Sequence, residues 1–584
     1  MGGPSSASGG SRARTAIVVG SGAGGSTVAM VLAEAGWDVV IFEKGSNYYG
    51  GLHGKDLPTT LFSNDEIKER FRYFDQPDPI AYPRTFRGTP SGPATYVGSV
   101  NDLPVTVGGG TVHWDAKTPR FWDIDFQQRS ALGPVDGADV ADWPFDYAEI
   151  APYYDEIEKL IGVQGDLSAM PAHTLSHAPR SHQFPMPPGP QQRSSMLLAA
   201  AATRLGLHPY PFPMAINSQP YDGRPACNNC GFCGEYGCPI LARVGALGPL
   251  RRALRTGRVD LRAESMVYRI DRKGRRATGV RYFRPDGSKA REHADVVVLA
   301  ASGIESVRLA LLSDLPDPHD RIGRRLMFHS FVVGFAVFLA ERVHPYRGRS
   351  TTQCFEDWAD PDYPGAREVA KAAGLPYIRG GLCELGGSQE PITEGTFYQF
   401  LLTLLQPQQP FGRTFKELMR TSLLRDRLAA LNMIGHDLPY LTNRVDLDPK
   451  VKDMFGLPVP RITYAEGKHE QVAGAFYSAQ TTALCTAAGG GVGAGVPSSV
   501  QSVSTPGSTL PNTKHIMGGM QMGHDPRHSV TDPHGRMHSM DNVYVADGGV
   551  FVTSGAQNPT NTLMAVALRT ARHLAGNRDA MVAR

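Results

Sequence analysis

Apolar residues in this 584-residue chain fall into short unbroken runs that alternate with helix-spaced stretches. AIVVG (16–20) is apolar throughout and short, as expected of a strand covered on both faces. STVAMVLAEAG (26–36) has helical spacing, and DVVIFE (38–43) predicts a second strand that ends in Glu43. DVVVLAA (295–301) predicts another strand, followed by a small-residue turn into a helix over SGIESVRLALL (302–312). NVYVADGG (542–549) predicts a further strand near the carboxyl end. In FKELMRTSLLRDRLAALNM (415–433) the apolar positions recur at helical spacing and predict one amphipathic helix.

Between the first strand and its helix, Gly20, Gly22 and Gly25 form G-x-G-x-x-G, and Glu43 lies 23 residues after Gly20. Gly20 permits a tight turn, Gly22 lets backbone approach a pyrophosphate, and Gly25 lets helix and strand pack closely. The helix N-terminus then faces phosphates, and an acid about 20 residues on suits ribose hydroxyls. Strand, helix, second strand and acid occur in that order, which predicts a dinucleotide site. The later strands at 295–301 and 542–549 spread one Rossmann unit over the chain. Such a distribution suits FAD lying extended through a domain better than NAD.

Composition narrows the class. Lys+Arg of 59 against Asp+Glu of 56 gives +3, so charge offers no argument for nucleic acid. Hydrophobic residues at 41% and charged residues at 20% are the balance of a soluble globular protein, and the length predicts two or three domains. The longest apolar run, FVVGFAVFLA (331–340), falls far short of the roughly 20 residues a bilayer-spanning helix needs. Residues 1–13 lack an apolar h-region and are expected to be a disordered leader. A cytoplasmic location follows by default, with export on a signal-bearing partner subunit as the alternative.

Several longer motifs follow in a recognisable order: VGGGTVHWDAKTPRF (107–121), DWPFDYAEIAPYYDEIEKLIGV (142–163), HIMGGMQMGHDP (515–526) and DNVYVADGGVFVTSGAQNPTNT (541–562). With them the chain resembles the glucose–methanol–choline (GMC) oxidoreductases. Within the family it is most similar to the branch of gluconate, fructose and glucose dehydrogenase large subunits, with pyranose oxidase as a neighbour. The resemblance implies an α/β fold with a discontinuous Rossmann-like FAD-binding domain (14–120, 225–330 and 505–584). It also implies a substrate-binding domain on an antiparallel sheet (121–224 and 331–504). Gly109, Gly110 and Thr111 match the segment along the flavin ring, and Asp547 and Gly548 match the segment near the ribityl chain and pyrophosphate. Val267 matches a position whose backbone meets the adenine. His113 matches the histidine that pyranose oxidase bonds to FAD; the dehydrogenase branch has the same His–Trp pair without the bond.

The resemblance also supplies the chemistry. His515 opens H-x-x-G and Asn558, followed by Pro559, opens NPT; in the family this His–Asn pair sits over the reactive flavin nitrogen. Hydride leaves a carbinol carbon more easily as the hydroxyl loses its proton, so a neutral histidine is a suitable base. The Asn558 amide can donate to the developing alkoxide. The expected function is FAD-dependent oxidation of an alcohol on a sugar, sugar acid, polyol or sugar-containing natural product, with O2, a quinone or a cytochrome partner as acceptor. The alternatives are a flavin-containing lyase and a mainly electron-transferring subunit, the latter having no need of a base. Departures from the family pattern at GGMQMG (518–523), FVT (551–553) and Asn561 bear on substrate identity more than on reaction class. An extra polar side chain near the pocket is compatible with a polyhydroxylated or aminated substrate.

Four of seven cysteines (Cys227, Cys230, Cys233, Cys238) fall within CNNCGFCGEYGCP. The spacing, C-x2-C-x2-C-x4-C-P, is one residue longer than a ferredoxin run before its last ligand. An iron–sulfur cluster, structural thiols or disulfides, and zinc all remain open, with the cluster placed first.

Overall fold

Five parallel strands form the sheet that the first apolar runs begin. Thr15–Val19 lies at its centre between Asp38–Phe42 and Val296–Leu299, while Val259–Arg262 and Val543–Val545 form the two edges. Both inner faces are covered, and residues 16–19 and 296–299 are buried throughout, which is why they carry no alternation. This computed structural model describes residues 14–62, 77–233, 236–338, 340–344, 348–387, 412–421, 426–488, 494–497, 500–501, 510–511 and 513–577. The leader expected over 1–13 lies outside them.

The helix Ala23–Glu34 follows the first strand and packs against the helices Leu247–Arg255 and Thr560–Gly576. Two glycines of the fingerprint are demanded by geometry. Gly20 sits at φ +105°, and a Cβ on Gly25 would lie 2.0 Å from the Gly20 carbonyl oxygen.

A second sheet is antiparallel, in the order Ala494–Pro497, Ser330–Val337, Leu428–Gly435, Cys383–Gly386, Thr351–Phe355, Tyr210–Pro211. The helices Lys468–Ala487 and Arg193–Arg204 pack on it around Leu198, Val332, Leu431 and Tyr477. Here the sequence expectation for 415–433 holds only in its first part. The helix covers Gly412–Thr421, but Leu428–Gly435 is a strand, and 422–425 lie outside the described residues. LAALNMIG is paired along both edges, eight residues on one side and four on the other, so tertiary pairing overrides its helical spacing.

The two sheets bring their ends to one cavity. Val19, Phe42 and Ala300 approach it from the parallel sheet, and Phe331, Glu384 and Asn432 from the antiparallel one. Among the described residues no helix is long and apolar enough to cross a membrane.

Gly25→Ala is expected to destabilise the protein by about 3 kcal/mol, because the new methyl meets backbone that cannot yield. Denaturant unfolding of the variant checks this; an unchanged midpoint would remove the close-packing account of the motif.

Candidate active site

The cavity has a volume of about 930 Å³ and runs from Glu43 and Val267 past the fingerprint to His515 and Asn558. At its first end the helix Ala23–Glu34 has Gly22 as N-cap and no side-chain cap, so its leading N–H groups are open to a phosphate. Gly22 and Gly109 touch: a Cβ on Gly109 would lie 2.9 Å from the Gly22 Cα. Glu43 lines the cavity, but its carboxylate already accepts bonds from Ser21 N (3.1 Å), Ser21 Oγ (2.7 Å) and Gly45 N (2.9 Å). Two oxygens offer about four acceptor sites, so room is left for a ribose hydroxyl. Ser21 Oγ also accepts from Gly108 N at 3.1 Å, tying the fingerprint to the 109–112 turn. Burial raises the Asp547 carboxyl to about 6 against bonds from Ser306 Oγ (2.5 Å) and Gly549 N (2.8 Å). A Cβ on Gly548 would lie 2.3 Å from the Ile516 carbonyl oxygen. The open helix end, the small-residue walls and the elongated cavity fit FAD. Gly110, Thr111, His113 and Pro559 line the same cavity.

At the other end stands His515. Its Nδ1 lies 2.7 Å from Nδ1 of His329, whose Nε2 lies 3.1 Å from the Ser554 carbonyl oxygen. Burial pushes the His329 imidazole down to about 4, so the ring is neutral near pH 7. A carbonyl only accepts, so His329 carries its hydrogen on Nε2 and presents a bare Nδ1. His515 must then donate from Nδ1, which leaves Nε2 as its unprotonated nitrogen. Burial, and then the neighbouring His329 and Lys117, hold the His515 pKa well below the ordinary imidazole value.

Asn558 is buried and donates from Nδ2 to Glu384 Oε1 at 3.0 Å; its Oδ1 has no partner. One amide hydrogen is thus committed to Glu384, and the other stays available. Lys117 bridges Glu384 (2.7 Å) and Asp115 (2.8 Å). Burial would lower its pKa, but the two carboxylates outweigh that and keep it charged. Asn432 also lines the cavity, with a buried Oδ1 that lacks a partner.

Sequence reasoning missed His329, Lys117, Glu384 and Ser21. Lys117 lies in a quoted motif (HWDAK) and Ser21 inside the fingerprint. His329 immediately precedes the strand Ser330–Val337 and Glu384 lies inside the strand Cys383–Gly386, both with no local signal. The departures from the family pattern do not add polar groups to the cavity. Asn561 Nδ2 bonds to Thr118 O (3.3 Å) and Glu158 (3.1 Å), and Thr553 joins Trp143 Nε1 (2.9 Å) to Asp125 O (2.8 Å). Both lie behind the site. In the cysteine loop Cys230 is exposed, Cys233 is buried, and Cys227 and Cys238 are intermediate. Among the described residues no group of three or more His, Cys, Asp or Glu side chains is arranged to hold a metal. Arg243 fastens this loop to the Gly109–Val112 turn, bonding the Cys233 and Tyr236 carbonyls and, at 2.8 Å, that of Val112.

Comparison with known proteins agrees with this geometry. Two GMC oxidoreductase profiles match residues 138–331 and 439–567, and an NAD(P)-binding Rossmann-like domain profile matches 18–64. The 6'''-hydroxyparomomycin C oxidase of Streptomyces lividus is 32% identical over 491 residues, covering 82% of this chain and 80% of that protein. The fructose dehydrogenase large subunit of Gluconobacter japonicus is 28% identical, covering 80% and 79%. Among solved structures, pyridoxine 4-oxidase from Mesorbium loti superposes with a TM-score of 0.60 at 16% identity over 96% of this chain and 99% of that one, a likeness of fold. The chain belongs to the GMC oxidoreductase family and is an FAD-dependent enzyme that oxidises CH–OH groups.

Proposed function

We propose that the enzyme oxidises a carbinol of a polyhydroxylated, sugar-type substrate, with aminated sugars the first class to test. The observation that carries the catalytic part is the contact between His329 and His515, which leaves Nε2 of His515 as a bare nitrogen at the cavity. FAD, when bound, accepts the two electrons of the carbinol C–H bond as hydride. His515 takes the hydroxyl proton at Nε2, and the free N–H of Asn558 donates to the oxygen as its charge grows. Lys117 and Glu384 hold Asn558 in place, and Glu384, Asp115 and the Oδ1 atoms of Asn432 and Asn558 form an acceptor-rich wall. A substrate rich in hydroxyl or ammonium donors suits that wall, and the S. lividus relative is named for an aminoglycoside. The lyase alternative has no support, since the relatives compared are named for oxidation or dehydrogenation.

For the four cysteines, spacing supports an iron–sulfur cluster as a second redox group, while the arrangement of their thiols does not; no step is routed through one. Iron and acid-labile sulfide in anaerobically purified, flavin-loaded protein decide: about 3 or 4 iron atoms per flavin sustain the cluster, and none removes it. Reoxidation by O2, by a quinone and by a cytochrome identifies the acceptor.

An anaerobic screen of alcohols and amino sugars for flavin bleaching identifies the substrate. With that substrate, His515→Ala is expected to slow bleaching about 10²–10⁴-fold at normal FAD content; bleaching at the parent rate would overturn the assignment. His329→Phe is expected to lower kcat with little change in KM and to shift the pH profile, since Nδ1–H of His515 loses its acceptor. In the parent enzyme the acid limb of kcat/KM is expected below pH 6.5, because the required neutral imidazole has its pKa lowered by burial. Lys117→Met is expected to cost about 3 kcal/mol of stability at neutral pH by leaving the buried Glu384 and the part-buried Asp115 without a cation. Part of that loss should return as pH falls and the carboxylates protonate, which thermal unfolding across pH would show.

A further inference from the structure

A second cavity, of about 430 Å³, opens between the helices Tyr147–Ile161 and Leu247–Arg255 and shares no lining residue with the flavin cavity. Its walls are basic. Glu156 and Arg252 border it but are committed elsewhere, in ion pairs with Arg572 and Glu34. That leaves Lys159, Arg224, Arg251 and Arg255 facing one acid, Asp222, which is 60% exposed and 3.9 Å from Arg224 Nε.

Two of these guanidinium groups are buried. Arg224 is 3% exposed and Arg251 8%. Each is held by one edge on backbone: Arg224 Nη2 donates to Ile161 O at 3.2 Å, and Arg251 Nη2 to Asp56 O at 2.8 Å. Their other donors, Nε and Nη1 of Arg224 and Nε of Arg251, are buried without a partner. Arg255 is fixed similarly, to Lys55 O at 3.0 Å, and stays exposed. Gly162 at φ +74° makes the seat, since a Cβ there would lie 3.1 Å from Arg224 Nη2. Burial pushes Arg224 down to about 10, with Asp222 offsetting and Arg251 adding to the shift.

Four cationic side chains, two of them buried, line one cavity against a single free acid, and that excess of positive charge is answered best by one ligand with several anionic oxygens. We propose that this cavity binds a phosphate dianion, free or as a small phosphate monoester, through Arg224, Arg251, Arg255 and Lys159. A carboxylate offers two oxygens to this set, whereas a phosphate offers three or four in a tetrahedral array. The volume is within the range of small-molecule sites and accommodates a sugar phosphate.

The test uses FAD-saturated enzyme, so that the pyrophosphate-binding segment is filled. Inorganic phosphate and glucose 6-phosphate are titrated separately by calorimetry, with thermal unfolding in parallel. One site per flavin, saturable below about 10 mM, is expected, with a rise in Tm on binding. Tighter binding of the ester identifies a metabolite, and equal binding identifies phosphate itself. Arg255→Gln and Lys159→Gln alter exposed side chains and should leave flavin content and basal turnover unchanged. Each should weaken binding about tenfold or more; Arg224→Gln should abolish it. Absence of saturable binding in the parent enzyme, or affinity unchanged in both exposed-residue variants, overturns the proposal.

Discussion

Two neutral imidazoles can meet nitrogen to nitrogen only if one brings a hydrogen and the other a lone pair. At the His329–His515 contact that condition fixes both rings, because the far side of His329 faces a carbonyl that cannot donate. The orientation of His515, the nitrogen it offers to the cavity and its neutrality near pH 7 all follow from this one contact and from burial. Loss of the Ser554 carbonyl from its position would leave the tautomer undetermined. That carbonyl belongs to the segment joining the last strand of the parallel sheet to the final helix, and Asp437 N bonds Ser554 Oγ at 3.0 Å to hold it. His515 is thus oriented by the residue that leads into the strand Ser330–Val337 and, through it, by the segment before the final helix.

The same meeting of distant segments shapes the nucleotide end. Ser21 links Glu43 to Gly108, and Gly22 lies against Gly109, so the fingerprint, the acid and the 109–112 turn form one wall. Glycine is required where backbone passes backbone, and any side chain would separate the layers. At the His515 end of the cavity a cation between two carboxylates sets the polarity. Lys117 stays charged because Asp115 and Glu384 repay its desolvation, and Glu384 in turn orients Asn558. The resulting wall has more acceptors than donors.

The nucleotide end was largely legible in the sequence, because its constraints are local. Strand, tight turn, helix and acid follow one another within 29 residues (15–43), so the motif is local even though Gly20 and Gly22 answer backbone at Ala300 and Gly109. The edge strand Val259–Arg262 was not legible: VDLR has two apolar residues and only one neighbouring strand to bury it. Leu428–Gly435 was misread for the opposite reason. Its apolar positions satisfy helical spacing, and only pairing on both sides makes it a strand.

By itself, then, the sequence determined the parallel-sheet start, the tight glycine turn after the first strand and, through its motifs, the family to which the chain belongs. Tertiary structure decided which nitrogen of His515 is bare, what holds Asn558 and which charges share the pocket. Those depend on partners 174 and 186 residues away, at Glu384 and His329, where sequence carries no distance information. A hydrogen bond is a matter of ångströms, and only the folded chain brings such residues within reach.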